Sequence, residues 1–323
     1  LLLLTSGCWH NGAARQRAVD HYVSAVVLQQ SEFTEDAIFQ LQEAVRYDHE
    51  FSVAYSMLGQ LYRQQGEYEK SAQAYERSCL LNPWDFVDHL NLGEVYRLMK
   101  RFTDAIRVLS RARQLEPDNP QANYSLGVSY YETNQYDLAT TYCVRAVQLD
   151  PNNKDYLLSL GDIYSKTGDS YKAINAYKQA LEVDPSQSEI MTRLGMVYIK
   201  MDRLDPAHLI LEKAVSIAPQ EADTHNALGY CLLREGKLDQ ALQEYEKALA
   251  LDEDSYLALN SVGVTCMMYY INDRQNNYAL GQRALECWHR SLEINPDQPK
   301  IKKFVETYSP TINAPGQIKA LTP

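Results

Sequence analysis

Seven glycines stand 34 residues apart in this chain: Gly59, Gly93, Gly127, Gly161, Gly195, Gly229 and Gly263. A fixed period of this length marks a repeat architecture, and it overrides the two-domain expectation that 323 residues would otherwise carry. Other ladders keep the same step. Pro83, Pro117, Pro151, Pro185 and Pro219 form one, and Ala105, Ala139, Ala173, Ala207 and Ala241 another, with Ala37 and Ser71 upstream. A second small-residue ladder runs Ala44, Ser78, Ala112, Ala146, Ala180, Ala214, Ala248. A large apolar residue precedes each glycine, from Leu58 to Val262.

Within one period the spacing reads as two helices. Tyr55, Leu58, Gly59 and Tyr62 fall at i, i+3, i+4 and i+7, one face of a helix. Gly66 supplies the left-handed residue that ends it. Tyr68, Ser71, Tyr75 and Ser78 mark the second helix, and Asn82-Pro83 stops it, because proline cannot continue the backbone ladder. Glycine inside a helix costs about 1 kcal/mol against alanine. Its recurrence at one phase implies a steric need for close approach, with Gly59 and Ser71 removing bulk where the helices cross and Tyr62 filling the space beside them.

The stretch Ala54-Tyr55, Leu58-Gly59, Tyr62, Gly66, Tyr68, Ser71, Tyr75, Pro83 resembles the tetratricopeptide repeat, as does Leu160-Gly161, Tyr164, Gly168, Ala173, Tyr177, Ala180, Pro185. The resemblance implies an all-α fold, an α-α superhelix of eight helix-turn-helix repeats. They phase as 18–51, 52–85, 86–119, 120–153, 154–187, 188–221, 222–255 and 256–298, the last longer by nine residues. The first departs from the pattern, with Ala25, Leu28 and His49 in the Gly, Tyr and Pro slots, as terminal repeats often do. The extra residues of the eighth fall between Cys266 and Ala284. They read as a longer first helix and a polar turn near residues 272–277, either a simple extension or a knob for a partner. Ile301, Phe304, Val305 and Tyr308 predict a capping helix over 299–308, and the Pro-containing tail 309–323 reads as disordered.

The Leu-rich residues 1–8, ending Leu4-Thr5-Ser6-Gly7-Cys8, resemble the end of a bacterial lipoprotein signal peptide. That resemblance implies lipidation at Cys8, a tether over 9–17, and an outer-membrane anchor facing the periplasm, since Trp9 is not an inner-membrane retention Asp. A cytoplasmic location without an anchor is the alternative. Eight residues cannot span a bilayer, which takes about 20.

No catalytic chemistry is legible. There is no H-x-x-x-H, H-E-x-x-H, C-x-x-C or G-x-S-x-G, and Gly229 to Gly236-Lys237 has the wrong spacing for a phosphate loop. No metal, no cofactor and no small-molecule substrate are expected, and the chain reads as no enzyme. The formal net charge of -11 argues against a nucleic-acid footprint, which needs a basic stripe. Cys79, Cys143, Cys231, Cys266 and Cys287 fall in different helices and read as small buried hydrophobes, with a Cys266–Cys287 disulfide conceivable.

The resemblance places the first helices on a concave groove. Three series of 34-residue translates would face it, starting at Ser56, Gln60 and Arg63. Eleven of their 21 members are apolar or tyrosine, where a merely solvated face would be polar. The candidate partner-binding residues are Arg63, Leu90, Arg97, Tyr124, Val128, Tyr131, Leu158, Met196, Ile199, Tyr230, Leu233 and Met267. Arg63 and Arg97 add positive charge, and Asp155, Asp162, Glu189 and Asp223 add negative charge further along. The carboxylate clamp of some family members is absent, because its Lys and Asn residues are missing. The expected function is a non-catalytic scaffold, lipid-anchored in the envelope, that holds peptide or helical segments of protein partners. The expected settings are pilus or secretion, cell-wall or polysaccharide machinery. The alternative is an unanchored intracellular module, or the repeat part of a larger protein such as a glycosyltransferase.

Overall fold

The computed structural model describes the backbone of residues 5–273 and 277–313, and the side chains of residues 12–273 and 277–312. The fold is all-α. Two compact units part after Ile163. The first holds α1 (Thr5–Gln30), α2 (Thr34–Tyr47), α3 (Ser52–Gln64), α4 (Tyr68–Leu81), α5 (Phe86–Leu98), α6 (Phe102–Leu115), α7 (Pro120–Glu132), α8 (Tyr136–Leu149) and most of α9 (Lys154–Thr167). The second holds the end of α9, then α10 (Ser170–Val183), α11 (Ser188–Lys200), α12 (Leu204–Ile217), α13 (Ala222–Arg234), α14 (Leu238–Leu251), α15 (Tyr256–Asn272), α16 (Tyr278–Ile294) and α17 (Pro299–Asn313). From α1 to α8, and again from α10 to α17, each helix packs on the next, and first helices of successive repeats touch, α3 on α5 on α7 and α11 on α13 on α15.

The period appears in the backbone as well as in the sequence. Glu32, Gly66, Lys100, Asn134, Gly168, Asp202 and Gly236 all have positive φ, between 57° and 88°, and all are 34 residues apart. A shared bonding pattern closes the first helices at these residues. The N–H of Glu67 donates to the carbonyl of Tyr62 at 2.9 Å, and that of Gly66 to Arg63 at 3.1 Å. Arg101, Gln135, Asp169, Arg203 and Lys237 repeat the outer bond at 2.8–2.9 Å. This is the Schellman arrangement, which satisfies carbonyls that a helix end leaves unpaired. Helix starts share a device too: Asp85, Asn119 and Ser255 accept the backbone N–H of Asp88, Ala122 and Ala258.

The recurrent glycines sit where the two helices of a repeat cross. A Cβ on Gly59 would lie 2.8 Å from the ring of Tyr75; on Gly93, 2.4 Å from Leu109; on Gly127, 2.5 Å from the Cys143 sulfur; on Gly195, 2.6 Å from Leu211; on Gly229, 2.7 Å from Tyr245; and on Gly263, 2.4 Å from Trp288. The second helix thus plugs the glycine gap with its own bulky residue. Ser71 adds a hydroxyl that donates to the Gly59 carbonyl at 2.7 Å. The plugs Tyr75, Leu109, Cys143, Leu211, Tyr245 and Trp288 are all buried.

The ends differ from expectation. Residues 9–17, expected as a tether, continue α1 in helical backbone, while the side chain of Cys8 lies outside the described residues. The capping helix does not stop at 308. It runs to Asn313 through Pro310, so residues 309–313 of the expected tail are helical, and residues 314–323 lie outside the described residues. Proline removes one backbone bond there. The last turn is held instead by Ile312, fully buried, and by Tyr278, whose hydroxyl donates to the Ile312 carbonyl at 2.7 Å. Phe304 and Tyr308 close over Trp288 at ring distances of 5.3 and 6.2 Å. The extra residues of the eighth repeat lengthen α15 and α16 to 17 residues each, and part of the turn between them lies outside the described residues. Cys266 and Cys287 are both free thiols. Among the described residues no helix is long and apolar enough to cross a membrane.

Candidate partner-binding faces

The first helices of the first unit carry a knitted patch of aromatic and polar side chains. Its centre is Tyr124 on α7, whose ring packs on Tyr156 of α9 at 4.6 Å and lies 5.8 Å from the Arg97 guanidinium of α5. Ser159 donates to the Tyr124 hydroxyl at 3.2 Å, and the Tyr156 hydroxyl donates to Gln121 Oε1 at 2.9 Å. Burial raises the pKa of both phenols, so both stay neutral donors and acceptors at ordinary pH. Gln121 and Ser125 both donate to Glu94, which also takes Arg97 at 2.7 Å. The charge expected from Arg97 is therefore largely neutralised by its neighbour one turn away. Arg63 donates to Asn91 Oδ1 at 3.3 Å. Leu90, Val128, Tyr131 and Leu158 are half-buried on the same helices, with Tyr131 edge-on to Tyr136.

In the second unit the expected residues divide. Met196 and Tyr230 stand out, 41% and 36% exposed, and Leu233 is half-buried. Ile199 and Met267 do not share that surface, because they are only 1% and 4% exposed and belong to the core. Both come from the Arg63 series, whose slot directly follows the tyrosine core slot along the helix. Ile199 and Met267 fold inward from that slot, whereas Tyr131 and Leu233 in the same slot stay half-buried.

Next to Met196 in sequence, a cleft of about 510 Å³ opens between α11 and α13, lined by Glu189, Thr192, Arg193, Glu221, Asp223 and Asp252. Four of these six are carboxylates. Arg193 pairs with Glu189 at 2.5 Å, and Ser188 and Thr224 donate to Glu221 at 2.8 and 3.2 Å. Two side-chain oxygens on the first helices, Asn226 Oδ1 and Asn260 Oδ1, are buried with no hydrogen-bond partner among the described residues. An unpaired buried acceptor costs about 1–3 kcal/mol, so each favours an incoming N–H.

Repeat phasing found Tyr124, Met196 and Tyr230 but passed over Tyr156. Its slot holds Ala54, Ala122 and Ala258 in other repeats, so a bulky residue there was the signal. Asp88 breaks the same ladder. It is buried, and the hydroxyls of Ser56 and Ser78 each donate to it at 2.5 Å.

Comparison with known proteins agrees with this fold. A family model described as the cilia and flagella-associated protein 70 C-terminal domain matches residues 17–259. Among solved structures, the tetratricopeptide repeat protein of Parabacteroides merdae superposes with a TM-score of 0.65 at 14% identity, over 80% of this chain and 98% of that one. A chain of the APC/C hetero-tetramer Cut9-Hcn1 gives 0.61 at 17% identity, over 88% of this chain and 54% of that one. PilF of Pseudomonas aeruginosa gives 0.56 at 17% identity, over 69% and 97%. A sequence search of curated proteins found no match.

Proposed function

Since the chain belongs to the tetratricopeptide family described as the cilia and flagella-associated protein 70 C-terminal domain, we propose that it is a non-catalytic interaction module that binds a basic, amphipathic segment of a protein partner on its second unit. The observation that carries this reading is the pairing of exposed Met196 and Tyr230 with a cleft rich in carboxylates. Methionine and tyrosine suit adaptable apolar contact, and the carboxylates complement Lys and Arg. Asn226 and Asn260 add acceptors for backbone or side-chain N–H groups. An amphipathic helix or extended peptide supplies all three kinds of contact.

The test uses two labelled peptide sets of equal hydrophobicity, one basic and one acidic, read by fluorescence anisotropy against the full chain. Basic peptides are expected to bind at least tenfold more tightly, with the preference falling as salt rises. Met196→Asp with Tyr230→Asp, both at exposed positions, should abolish binding while leaving the far-UV circular dichroism unchanged. Equal binding of both sets, or undiminished binding by that variant, refutes the reading.

The cellular setting has two candidates. The description of the matched family supports an assembly associated with cilia or flagella. The pattern of residues 1–8 supports a lipid anchor at Cys8 in a bacterial envelope, with the membrane contacted by that anchor alone. Metabolic labelling with palmitate separates them: incorporation that disappears in Cys8→Ser supports the anchor, and equally low incorporation in both proteins rejects it.

A further inference from the structure

One junction between repeats differs chemically from the rest. His208 on α12, Cys231 on α13 and Glu235 at the C-cap of α13 bring a nitrogen, a sulfur and a carboxylate oxygen within 4.8 Å of one another. The 34-residue translates of these slots hold Ala72, Val95 and Met99 in one repeat pair and Ile174, Val197 and Met201 in another, and none of the phased translates is His, Cys, Asp or Glu. Three apolar or neutral positions have thus been exchanged together, at one junction, for three metal-binding side chains.

The details match a binding centre. His208 Nδ1 lies 2.9 and 3.0 Å from the two oxygens of Glu235, and the Cys231 sulfur lies 3.9 Å from Glu235 Oε1. Donor atoms around a tetrahedral zinc ion, with bonds of about 2.0–2.3 Å, sit roughly 3.2–3.8 Å apart, so shifts of about 1 Å would admit an ion. The other imidazole nitrogen, Nε2, faces Glu212 Oε1 at 3.1 Å. A carboxylate on the far nitrogen of a ligating histidine fixes the ring and leaves the near nitrogen unprotonated for the metal. Lys237 Nζ holds the second oxygen of Glu235 at 2.7 Å and orients that carboxylate in turn. Cys231 is fully buried, whereas the side chains of His208 and Glu235 are 20% and 12% exposed, which leaves the ion a route in and a position open to water or a partner. An ion pair of His208 with Glu235 and Glu212 does not explain the buried thiol of Cys231 beside them.

We propose that His208 Nδ1, Cys231 Sγ and a Glu235 oxygen form a site for a divalent transition metal of the zinc class, with Glu212 and Lys237 as positioning residues. Mixed nitrogen, sulfur and carboxylate donors select zinc or cobalt over magnesium and calcium, which take oxygen alone. On binding, the thiol proton passes to solvent and the thiolate bonds to the ion. Thiolate and carboxylate then balance the two positive charges, so the buried centre is neutral. The ligands come from two adjacent helices, His208 from α12 and Cys231 and Glu235 from the end of α13.

The experiment uses the full chain, reduced and stripped with chelator. Zinc is titrated against a chromophoric competitor, and cobalt is followed by its absorption spectrum. The expected result is one equivalent of bound zinc and a thiolate-to-cobalt charge-transfer band. Cys231→Val, which installs the residue found at Val95 and Val197, and His208→Ala should each lower zinc affinity at least tenfold, and Cys231→Val should erase the band. Glu212→Gln should cost about 10–100-fold, while Cys143→Ala, at a buried thiol elsewhere, should change neither affinity nor spectrum. Circular dichroism checks that each variant folds. Absence of zinc binding at micromolar concentration, a cobalt spectrum without a thiolate band, or affinity that survives both Cys231→Val and His208→Ala would overturn the proposal.

Discussion

Gly93→Ala should destabilise the protein, and the same substitution should stabilise it once Leu109 has been cut back. A Cβ on Gly93 would lie 2.4 Å from both Cγ and Cδ2 of Leu109. Carbon atoms in contact sit at about 3.5–4.0 Å, so the overlap exceeds 1 Å. Leu109 is fully buried and has no free direction in which to yield. Overpacking of this kind costs about 1–3 kcal/mol. Replacing glycine by alanine within a helix returns about 1 kcal/mol, which leaves a net loss of about 0–2 kcal/mol. Leu109→Ala alone should cost about 2–5 kcal/mol. In that background the clash is gone and only the helix gain remains, so adding Gly93→Ala should recover about 1 kcal/mol. The coupling between the two sites is then the clash itself, about 1–3 kcal/mol. Four proteins are compared by urea titration, followed by far-UV circular dichroism at equilibrium. The curves are fitted with nearest-neighbour terms, because repeat arrays depart from two-state unfolding. If Gly93→Ala raised stability by the same amount in both backgrounds, the close approach of α5 to Leu109 would not be the reason for the glycine.

Two further outcomes follow from single side chains. Burial raises the Asp88 carboxyl above the ordinary carboxylate range despite the bonds from Ser56 and Ser78. A folded-state pKa above the unfolded one gives stability that is present below the unfolded value and lost as pH rises through the folded value. Urea midpoints should therefore fall as pH climbs above about 4, and Asp88→Asn should flatten that slope and match or exceed wild type at pH 7; a variant that steepened the slope would contradict the assignment. Lys100 occupies a left-handed turn position at φ 57° that Gly66 and Gly168 fill elsewhere. The αL conformation costs a side-chain-bearing residue about 1–2 kcal/mol, partly offset by the greater unfolded-state freedom of glycine, so Lys100→Gly should raise the stability by up to about 1 kcal/mol in the same titration.

The repeats were legible because each one must solve the same packing problem. Only a residue without a Cβ fits opposite Tyr75 or Trp288, so the constraint surfaces as a ladder. The chain ends carry no such repeated constraint. The onset of α1 and the passage of α17 through Pro310 follow from contacts made once, such as the burial of Ile312. The binding faces were partly legible for a related reason. Phase tells which slot a residue occupies, but not whether a flexible apolar side chain turns inward, as Ile199 and Met267 do. Residues that break a ladder were the better guide, since Asp88 and Tyr156 stand where other repeats have alanine and both sit in polar networks. His208, Cys231 and Glu235 break three ladders at once, yet each looks ordinary alone.

In the six described glycine gaps, gap and plug belong to the same repeat. The plugging residue follows its glycine by sixteen positions in the pairs Gly59–Tyr75, Gly93–Leu109, Gly127–Cys143, Gly195–Leu211 and Gly229–Tyr245, and by twenty-five in the pair Gly263–Trp288, the difference being the extra nine residues of the eighth repeat. Each period is therefore a cassette that carries its own fit. A deletion of one whole period among the sixteen-spaced pairs leaves each remaining glycine a plug at the same spacing, its own or that of the next repeat. A deletion of half that length joins a helix containing a gap to one without the matching bulk. The reading frame of tolerated length changes in this chain is thus set in steps of 34 residues, by the fit of one bulky side chain against one glycine backbone within a single helix pair.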